Sequence, residues 1–397
     1  MAAGRFFLIL ACGVASGVLF PLPDGGFGPT LVVKTRNVTA IGNGNNASRL
    51  LYVSEGCRVH ILDASRQGNL TLLASSELLN TTDACEDGHY VSGIGTSKGG
   101  EEMVVGTQDG LLYLLKKREF GLIATPIAFQ QRNITSFSRV SDAVDGFING
   151  GSEIYMVAAV DSEGNGIVLF VQKGANSVLG YKAVGKDITD VQLVSREATK
   201  FSENHYSLLV IASASSQMVL LRCEILSTAT EPELKMTILN SMDVPDDNDG
   251  IAVQNAKPQG STLVYIASGS NGLVAVDLAS GAVRGQTQVQ GWAGGVRLLR
   301  DLAIVASDPG VFGYNITDPE KMHLAWSCDM NKGQSGLGWD LDVDTGSDMV
   351  FIADVKGGMA SVVLKEPCEG CGMIPVIISH FGKSSVLSCT SSGIHQK

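Results

Sequence analysis

Residues 261–281, STLVYIASGSNGLVAVDLASG, contain two short apolar segments separated by a glycine-rich turn. The first segment covers residues 263–266, the turn covers residues 269–272, and the second segment ends at Asp277. β-Branched residues on both sides of such a turn are typical of a β-hairpin. Because a lone hairpin is barely stable in water, this stretch is expected to be one unit of a larger array of sheets.

The same hairpin pattern occurs seven times along the chain. The equivalent residues of the strand before each turn are Tyr52, Val104, Met156, Val210, Tyr265, Ile304 and Phe351, which are 39 to 55 residues apart. Repeats of roughly 40 to 55 residues that carry only strand patterns predict the blades of a β-propeller. We therefore predict an all-β fold, a single seven-bladed β-propeller with four antiparallel strands per blade.

The closing phrases GLVAVDLASG, in the fifth copy, and GVFGYNITDP, in the sixth, resemble the LVIVD repeat family of extracytoplasmic β-propellers. The resemblance covers about residues 36–381 and is specific for the blade. The fourth copy departs from it, because Gln217 stands where glycine is expected. The family has no universal active-site motif, so the resemblance implies a fold and a compartment and assigns no catalytic residue.

The first sixteen residues have the pattern of a secretory signal peptide. Arg5 precedes an apolar run over residues 6–14, and small residues follow it, with cleavage expected near Ser16. The alternative is an N-terminal anchor, but this run, like every later one, is shorter than the ~20 residues of a spanning helix. We predict a protein without a membrane span that is secreted and is extracellular or at the cell surface.

The remaining boundaries follow from composition. Residues 17–30 form a Pro- and Gly-rich linker, residues 31–382 form the propeller, and residues 383–397 form a tail expected to be loose apart from Cys389. The strand TLVVK, residues 30–34, is expected to complete the last blade and so close the ring, since an open blade edge exposes unpaired backbone groups. The alternative is a free N-terminal strand.

The number of sequons and of cysteines is consistent with an exported protein. Six sequons predict N-glycosylation, at Asn37, Asn46, Asn69, Asn80, Asn133 and Asn315. After loss of Cys12 with the signal peptide, seven cysteines remain, so at least one thiol is free or pairs with another chain, and the connectivity of any disulfide bonds stays open. Cys368 and Cys371 have the spacing of a redox motif but follow a strand, which favours a structural bridge or a staple of the tail.

The net charge of −11, from 40 acidic and 29 basic residues, argues against nucleic acid as a partner. Three acidic runs are candidate calcium loops, which start at Asp161, Asp246 and Asp340. Asp161, Glu163 and Asn165 alternate around a glycine turn, as oxygen ligands of calcium do, and are our candidate metal ligands. The alternative is that the aspartates cap tight turns, and no other cofactor is predicted.

A catalytic site at the mouth of the channel is a further hypothesis. Of the six histidines, His89 alone falls in a loop that leads into an inner strand, beside Asp87. A metal-assisted propeller hydrolase or lactonase would be built from the following residues: His89, Asp87, Asp246, Asp249 and Asp340. One histidine is thin support for such chemistry, and the chain lacks the P-loop, dinucleotide-binding, GxSxG and HExxH motifs.

Trp292 and Trp339 lie in the loops that lead into the inner strands of the sixth and seventh repeats. Two aromatic rings at a channel mouth form a platform for a sugar or a peptide, whereas the alternative is packing between blades. Seven repeats without a catalytic constellation favour a binding, adhesion or scaffold module. Its expected partner is an extracellular protein or glycan, bound through the channel-mouth loops.

Overall fold

A computed structural model of the chain describes most of the predicted propeller. The described residues are 33–39, 47–66, 69–77, 90–97, 99–118, 121–127, 136–148, 152–174, 178–194, 199–202, 205–214, 217–227, 232–244, 250–253, 262–308, 310–329, 338–344, 346–354, 358–365, 374–382 and 388–391. In these ranges the regular structure is β-strand, apart from one turn of 3-10 helix at Pro319–Lys321.

Each of the first three sheets consists of four consecutive antiparallel strands. Blade one contains β1 (Val33–Thr39), β2 (Ala47–Glu55), β3 (Arg58–Arg66) and β4 (Asn69–Glu77). Blade two contains β5 (Val91–Thr96), β6 (Glu102–Thr107), β7 (Leu112–Arg118) and β8 (Gly121–Pro126). Blade three contains β9 (Phe137–Ile148), β10 (Ser152–Asp161), β11 (Asn165–Gln172) and β12 (Val178–Lys186).

The other four sheets follow the same order. Blade four contains β13 (Asp190–Leu193), β14 (Thr199–Ser202), β15 (His205–Ala214), β16 (Gln217–Ser227) and β17 (Pro232–Asp243). Blade five contains β18 (Gly250–Val253), β19 (Leu263–Ser268), β20 (Gly272–Asp277) and β21 (Val283–Thr287). Blade six contains β22 (Ala293–Leu299), β23 (Leu302–Ser307), β24 (Gly310–Asn315) and β25 (His323–Asp329), and blade seven contains β26 (Gly338–Asp344), β27 (Met349–Asp354), β28 (Gly358–Lys365) and β29 (Ile374–Gly382).

Seven sheets of this kind confirm the predicted seven-bladed propeller with four antiparallel strands per blade. Two strands are additional. The short β14 pairs with β15 beside the inner strand of blade four, and β30 (Ser388–Ser391) pairs with β25 as a fifth strand of blade six. Part of the segment expected to be a loose tail therefore belongs to a sheet, since the unpaired edge of β25 offers it backbone partners.

The hairpin of residues 261–281 forms the two middle strands of blade five. β19 and β20 pair from Leu263 opposite Asp277 to Ser268 opposite Gly272. Gly272 has a φ of 80°, and a Cβ atom there would lie 2.3 Å from the carbonyl oxygen of Thr287. Only glycine fits this turn, because a side chain would be both strained and blocked.

The second strand of every blade is an apolar run because both of its faces are buried. In β19, Tyr265 and Ala267 pack towards blade six, whereas Val264 and Ile266 pack towards blade four. Successive strand residues point to opposite faces, so a blade between two neighbours needs apolar residues at every position. The seven second-strand residues that the repeat predicts to be equivalent are all fully buried.

The ring closes by side-chain packing between blades seven and one. Leu51 of β2 and Met349 and Phe351 of β27 share an apolar cluster. Beside this cluster, Arg49 Nε lies 2.5 Å from Asp344 Oδ2, and the Asp344 side chain is buried. The six other apolar clusters each join two consecutive blades in the same way.

The predicted closing strand has a different place. Val33 and Lys34, the described residues of TLVVK, begin β1 and lie opposite Val53 and Tyr52 of blade one. The four strands of the blade-seven sheet all lie within residues 338–382. Because that sequence already supplies an inner and an outer strand, the N-terminal strand is the inner strand of blade one instead.

The inner strands contact one another in sequence around the axis, and β26 contacts β1. Since successive strands of a blade run antiparallel, the loops that lead into the inner strands share one end of the ring with the turns between the second and third strands. A bridge between Gly269 of a blade-five turn and Ala293 of β22 shows this proximity. We call this end the inner-loop face, and it includes the AVDSEGNG turn of blade three.

Candidate functional site

Arg297 lies on β22, the inner strand of blade six, and forms ion pairs with the inner strand of blade seven. Its Nη2 is 3.6 Å from Asp340 Oδ1, and its Nε is 3.7 Å from Asp342 Oδ1. Asp340 and Asp342 are two apart on β26, so both side chains lie on the same side of that strand. Two carboxylates of β26 therefore lie close to one guanidinium of β22 at the wall of the channel.

Two more carboxylates, on the inner strands of blades three and four, act on the charge of Arg297. Asp190 is the first residue of β13, and Asp142 lies within β9, and both side chains are buried. Burial lowers the pKa of Arg297. The negative charges of four aspartates raise the pKa by more than burial lowers it, so the net pKa is raised. These aspartates are, in order of effect, Asp340, Asp190, Asp342 and Asp142. Inner strands of four blades thus direct charged groups to the axis, and together these groups carry an excess of negative charge.

The ion pair of Arg297 and Asp340 involves one of the five predicted catalytic residues. Of that set, Asp340 is described, and its carboxylate faces the guanidinium of Arg297. The other four, Asp87, His89, Asp246 and Asp249, lie outside the described residues. A guanidinium 3.6 Å away competes with a metal ion for the Asp340 carboxylate. Across the described ranges, no three His, Cys, Asp or Glu side chains come together to hold a metal ion.

The Asp161 loop is a hydrogen-bonded turn on the inner-loop face. Asp161 Oδ1 accepts hydrogen bonds from the backbone N–H groups of Glu163 and Asn165 at 2.9 and 2.8 Å, and its Oδ2 accepts one from Asn165 Nδ2 at 3.0 Å. Desolvation raises the pKa of Asp161, but these hydrogen bonds outweigh it, and the pKa is lowered. Both carboxylate oxygens therefore accept hydrogen bonds within the turn, which is the turn-capping role of aspartate, and the calcium site stays a prediction.

The two candidate tryptophans do not occupy equivalent positions. Trp292 immediately precedes β22, whereas Trp339 is the second residue of β26 and falls where the pairing of Gly338 and Asp340 shifts register. The corresponding shift in blade six lies between Ala293 and Gly295. When the two inner strands are aligned on these shifts, Trp339 therefore corresponds to Gly294 and not to Trp292.

Trp292 is exposed at the inner-loop face, with 44% of its surface accessible. Its loop is fixed by the neighbouring turn of blade six, because Ser307 Oγ donates a hydrogen bond of 2.6 Å to the Gln290 carbonyl oxygen. Gly291 has a φ of 79°, and a Cβ atom there would lie 1.3 Å from the Asp308 carbonyl oxygen. The indole is thus presented by a loop whose backbone is held closely in place.

No protein-family model matches the chain. No curated protein matches it either. Among solved structures, the chain is similar to the crystal structure of the WD40 β-propeller domain of Doa1, with a TM-score of 0.50 and 10% sequence identity over 84% of this chain and 92% of that chain. A likeness at this identity shows the propeller fold alone. The resemblance to the LVIVD repeats stays a prediction.

The predicted glycosylation sites fall on different parts of the fold. Asn315 ends β24 and is half-buried, and its Oδ1 accepts a hydrogen bond of 2.9 Å from the Thr317 N–H group. Asn37 and Asn69 lie in β1 and β4. Asn46, Asn80 and Asn133 lie outside the described residues.

Sequence reasoning missed Arg297 and its partners Asp142, Asp190 and Asp342 as a group. Nothing in the sequence around these aspartates pointed to Arg297. The alternation of Asp340, Asp342 and Asp344 was a usable signal, since every second residue of an inner strand shares one face. In the described part of the chain, no helix has the length and hydropathy to cross a membrane.

Proposed function

We propose that this protein is a secreted, N-glycosylated β-propeller that binds an extracellular protein or glycan through its inner-loop face. A β-propeller is commonly a scaffold for interactions, because its loops gather on the two ends of a rigid ring. The LVIVD family, which the repeats resemble, supports an extracytoplasmic role. The observation that carries the proposal is the exposed indole of Trp292 on a loop with a fixed backbone.

An exposed tryptophan on a rigid loop has the properties of a binding anchor. Large aromatic side chains bury much apolar area at low entropic cost and dominate the energetics of many interfaces. The other exposed large apolar side chains of the described ranges are aliphatic, and most lie on outer strands, such as Ile123 on β8 and Val283 on β21. Trp292 is therefore the described aromatic residue best placed to contact a ligand at this face.

The negative charge of the protein limits the classes of ligand that it is expected to bind. The chain carries a net charge of −11, and among the described residues four inner-strand carboxylates act on the one guanidinium of Arg297. A negative surface disfavours anionic ligands through long-range repulsion. We propose a neutral glycan or a basic protein surface as the ligand.

Three features support the export of the chain. The first sixteen residues have the pattern of a signal peptide, and six sequons are present. Cys57 and Cys328 are disulfide-bonded, with partner sulfurs outside the described side chains. Disulfide bonds persist in oxidising compartments and are rare in the cytosol.

Trp292→Ala tests the binding face against a matched control. Wild-type and variant proteins would be applied to a panel of immobilised neutral glycans, sulfated glycans and basic proteins. We expect Trp292→Ala to weaken binding by about tenfold or more, as loss of a hot-spot aromatic does. Val283→Ala, which truncates an exposed side chain on an outer strand of blade five, should leave binding unchanged. Equal binding by wild type and Trp292→Ala would overturn the proposed face.

Export is tested separately, by expression in eukaryotic cells and analysis of the medium. We expect the protein in the medium, with an N-terminus near residue 17 and a mass that falls on treatment with an N-glycosidase. Retention in the cytosol without a mass shift would contradict this part of the proposal. It would leave the binding test unaffected, because binding is measured on purified protein.

The hydrolase alternative is not favoured by the geometry. Its described member, Asp340, is ion-paired with Arg297. Elemental analysis of purified protein separates the two functions. A stoichiometric divalent ion lost on His89→Ala would support the hydrolase instead.

A further inference from the structure

We propose that a disulfide bond between Cys328 and Cys389 fastens the C-terminal strand β30 to the outer edge of blade six. The pairing of β30 with β25 is antiparallel, and its register places Cys389 directly opposite Cys328. Directly opposite residues of an antiparallel pair have Cα atoms about 4.5–5.5 Å apart. This separation falls in the range of about 4.4–6.8 Å that a disulfide bond needs.

The state of the described cysteines supports this pairing. Cys328 is buried and disulfide-bonded, and Cys57 of blade one is disulfide-bonded as well. Cys223, in blade four, is a free thiol, and burial raises its pKa to about 12. The partner of Cys328 must therefore come from the remaining cysteines, and β30 brings Cys389 to it.

The chemistry of the bond is an exchange with an oxidised dithiol carrier. The two cysteine thiols give up two protons and two electrons, one S–S bond forms between them, and the carrier disulfide is reduced to a dithiol. Such carriers act in the oxidising compartment that the proposed export supplies, and this inference rests on that export.

The consequence is a covalently held strap over an otherwise open edge. β30 covers the backbone groups of β25 and also contacts β29, the outer strand of blade seven. An open edge of this kind is a template for pairing with a strand of another chain. The strap therefore covers the edge of blade six and links the outer strands of the last two blades.

Peptide mapping without reduction tests the assignment directly, because trypsin places Cys328, Cys389 and Cys223 in three different peptides. After alkylation of free thiols, Cys328 lies in peptide 322–332, Cys389 in 384–397, and Cys368 with Cys371 in 366–383. We expect 322–332 linked to 384–397 and peptide 223–235 alkylated. A link from 322–332 to 366–383 or to 67–98, or alkylation of Cys328, would overturn the strap.

A protease assay tests the mechanical role. We expect Cys389→Ser and Cys328→Ser each to speed cleavage within residues 383–397 by about tenfold, because the strand then opens locally. Cys223→Ser is the matched control, since it removes a thiol that forms no bond, and should cleave at the wild-type rate. Equal rates for wild type and Cys389→Ser, with the propeller still folded, would refute the strap. Recovery of alkylated Cys328 in glycosylated, secreted protein would refute the bond while leaving export intact.

Discussion

The side chain of Trp326 occupies the space where a side chain of Gly313 would lie. The two residues are directly opposite each other on β25 and β24, and a Cβ atom built on Gly313 would be 2.2 Å from both Cε2 and Nε1 of the Trp326 indole. Trp326 is fully buried in the seam between blades six and seven. A glycine covered by an aromatic residue on the neighbouring strand is a known way to stabilise a sheet.

Replacement of this glycine is expected to destabilise blade six. Gly313→Ala forces the indole out of its position, and overpacking of this kind costs about 1–3 kcal/mol in the free energy of unfolding. Denaturant unfolding followed by tryptophan fluorescence measures the change. Gly99→Ala is the control, because a Cβ atom there meets nothing nearer than 4.0 Å. Equal losses in both variants would contradict the packing described.

The charged channel predicts a strong effect of Arg297→Gln. The substitution leaves the four carboxylates without the guanidinium that offsets their charges, and removing one partner of a buried pair costs about 3–5 kcal/mol. Chemical denaturation at neutral pH measures this loss.

Arg284→Gln is the matched control for the channel. Arg284 pairs with Glu320 at 4.0 Å, and both side chains are largely exposed. Exposed pairs contribute about 0–1 kcal/mol, so this variant should be near wild type. A loss in Arg297→Gln no larger than the loss in Arg284→Gln would refute the role of the channel pair.

The seam that closes the ring depends on Arg49 and Asp344. Arg49→Gln leaves the buried carboxylate of Asp344 without its cation, which we expect to lower the free energy of unfolding by about 3 kcal/mol. Arg139→Gln breaks an exposed pair with Asp187 and serves as the control, with an effect below about 1 kcal/mol. Thermal unfolding of the two variants side by side makes the comparison.

Asp161 makes a contribution to stability that depends on pH. Its pKa is lowered in the fold, so this contribution is complete above the usual aspartate value and is lost as the pH falls through the folded value. Asp161→Ala should cost about 1 kcal/mol at neutral pH through its lost hydrogen bonds. The difference from wild type should shrink as the pH falls through the folded value, as unfolding curves across the pH range would show.

The calcium hypothesis for the same loop gives a contrasting result. If the loop is a turn alone, adding calcium or a chelator should leave the unfolding midpoint of wild type where it is. A midpoint that rises with calcium in wild type but not in Asp161→Ala would support a bound ion, since a ligand that binds the folded state stabilises it.

The sequence predicted the parts of the fold that depend on local pattern. Apolar runs around glycine turns identified the second strand of every blade, and residues such as Tyr265 and Phe351 are buried as expected. Gly272 sits at a turn that only glycine can form. These features are readable because each hairpin carries its own turn chemistry and its own apolar residues.

The candidate site was harder to predict. Trp292 was recognised from its position before an inner strand, and it is exposed at the inner-loop face. Trp326 was not singled out from the sequence, although it packs between blades six and seven. Nothing in the local sequence distinguishes an indole that covers a glycine on the next strand from one that faces solvent.

By itself, the amino-acid sequence determined the number of blades, the burial of their middle strands and the positions of their turns, because these depend on neighbours within about fifty residues. Only the tertiary structure decided that Asp142 and Asp190 share a channel with Arg297, that Arg49 meets Asp344 at the closing seam, and that β30 lies on blade six. Each of these contacts joins segments far apart in the chain. Such contacts arise from the curvature of the closed ring, which no single repeat encodes.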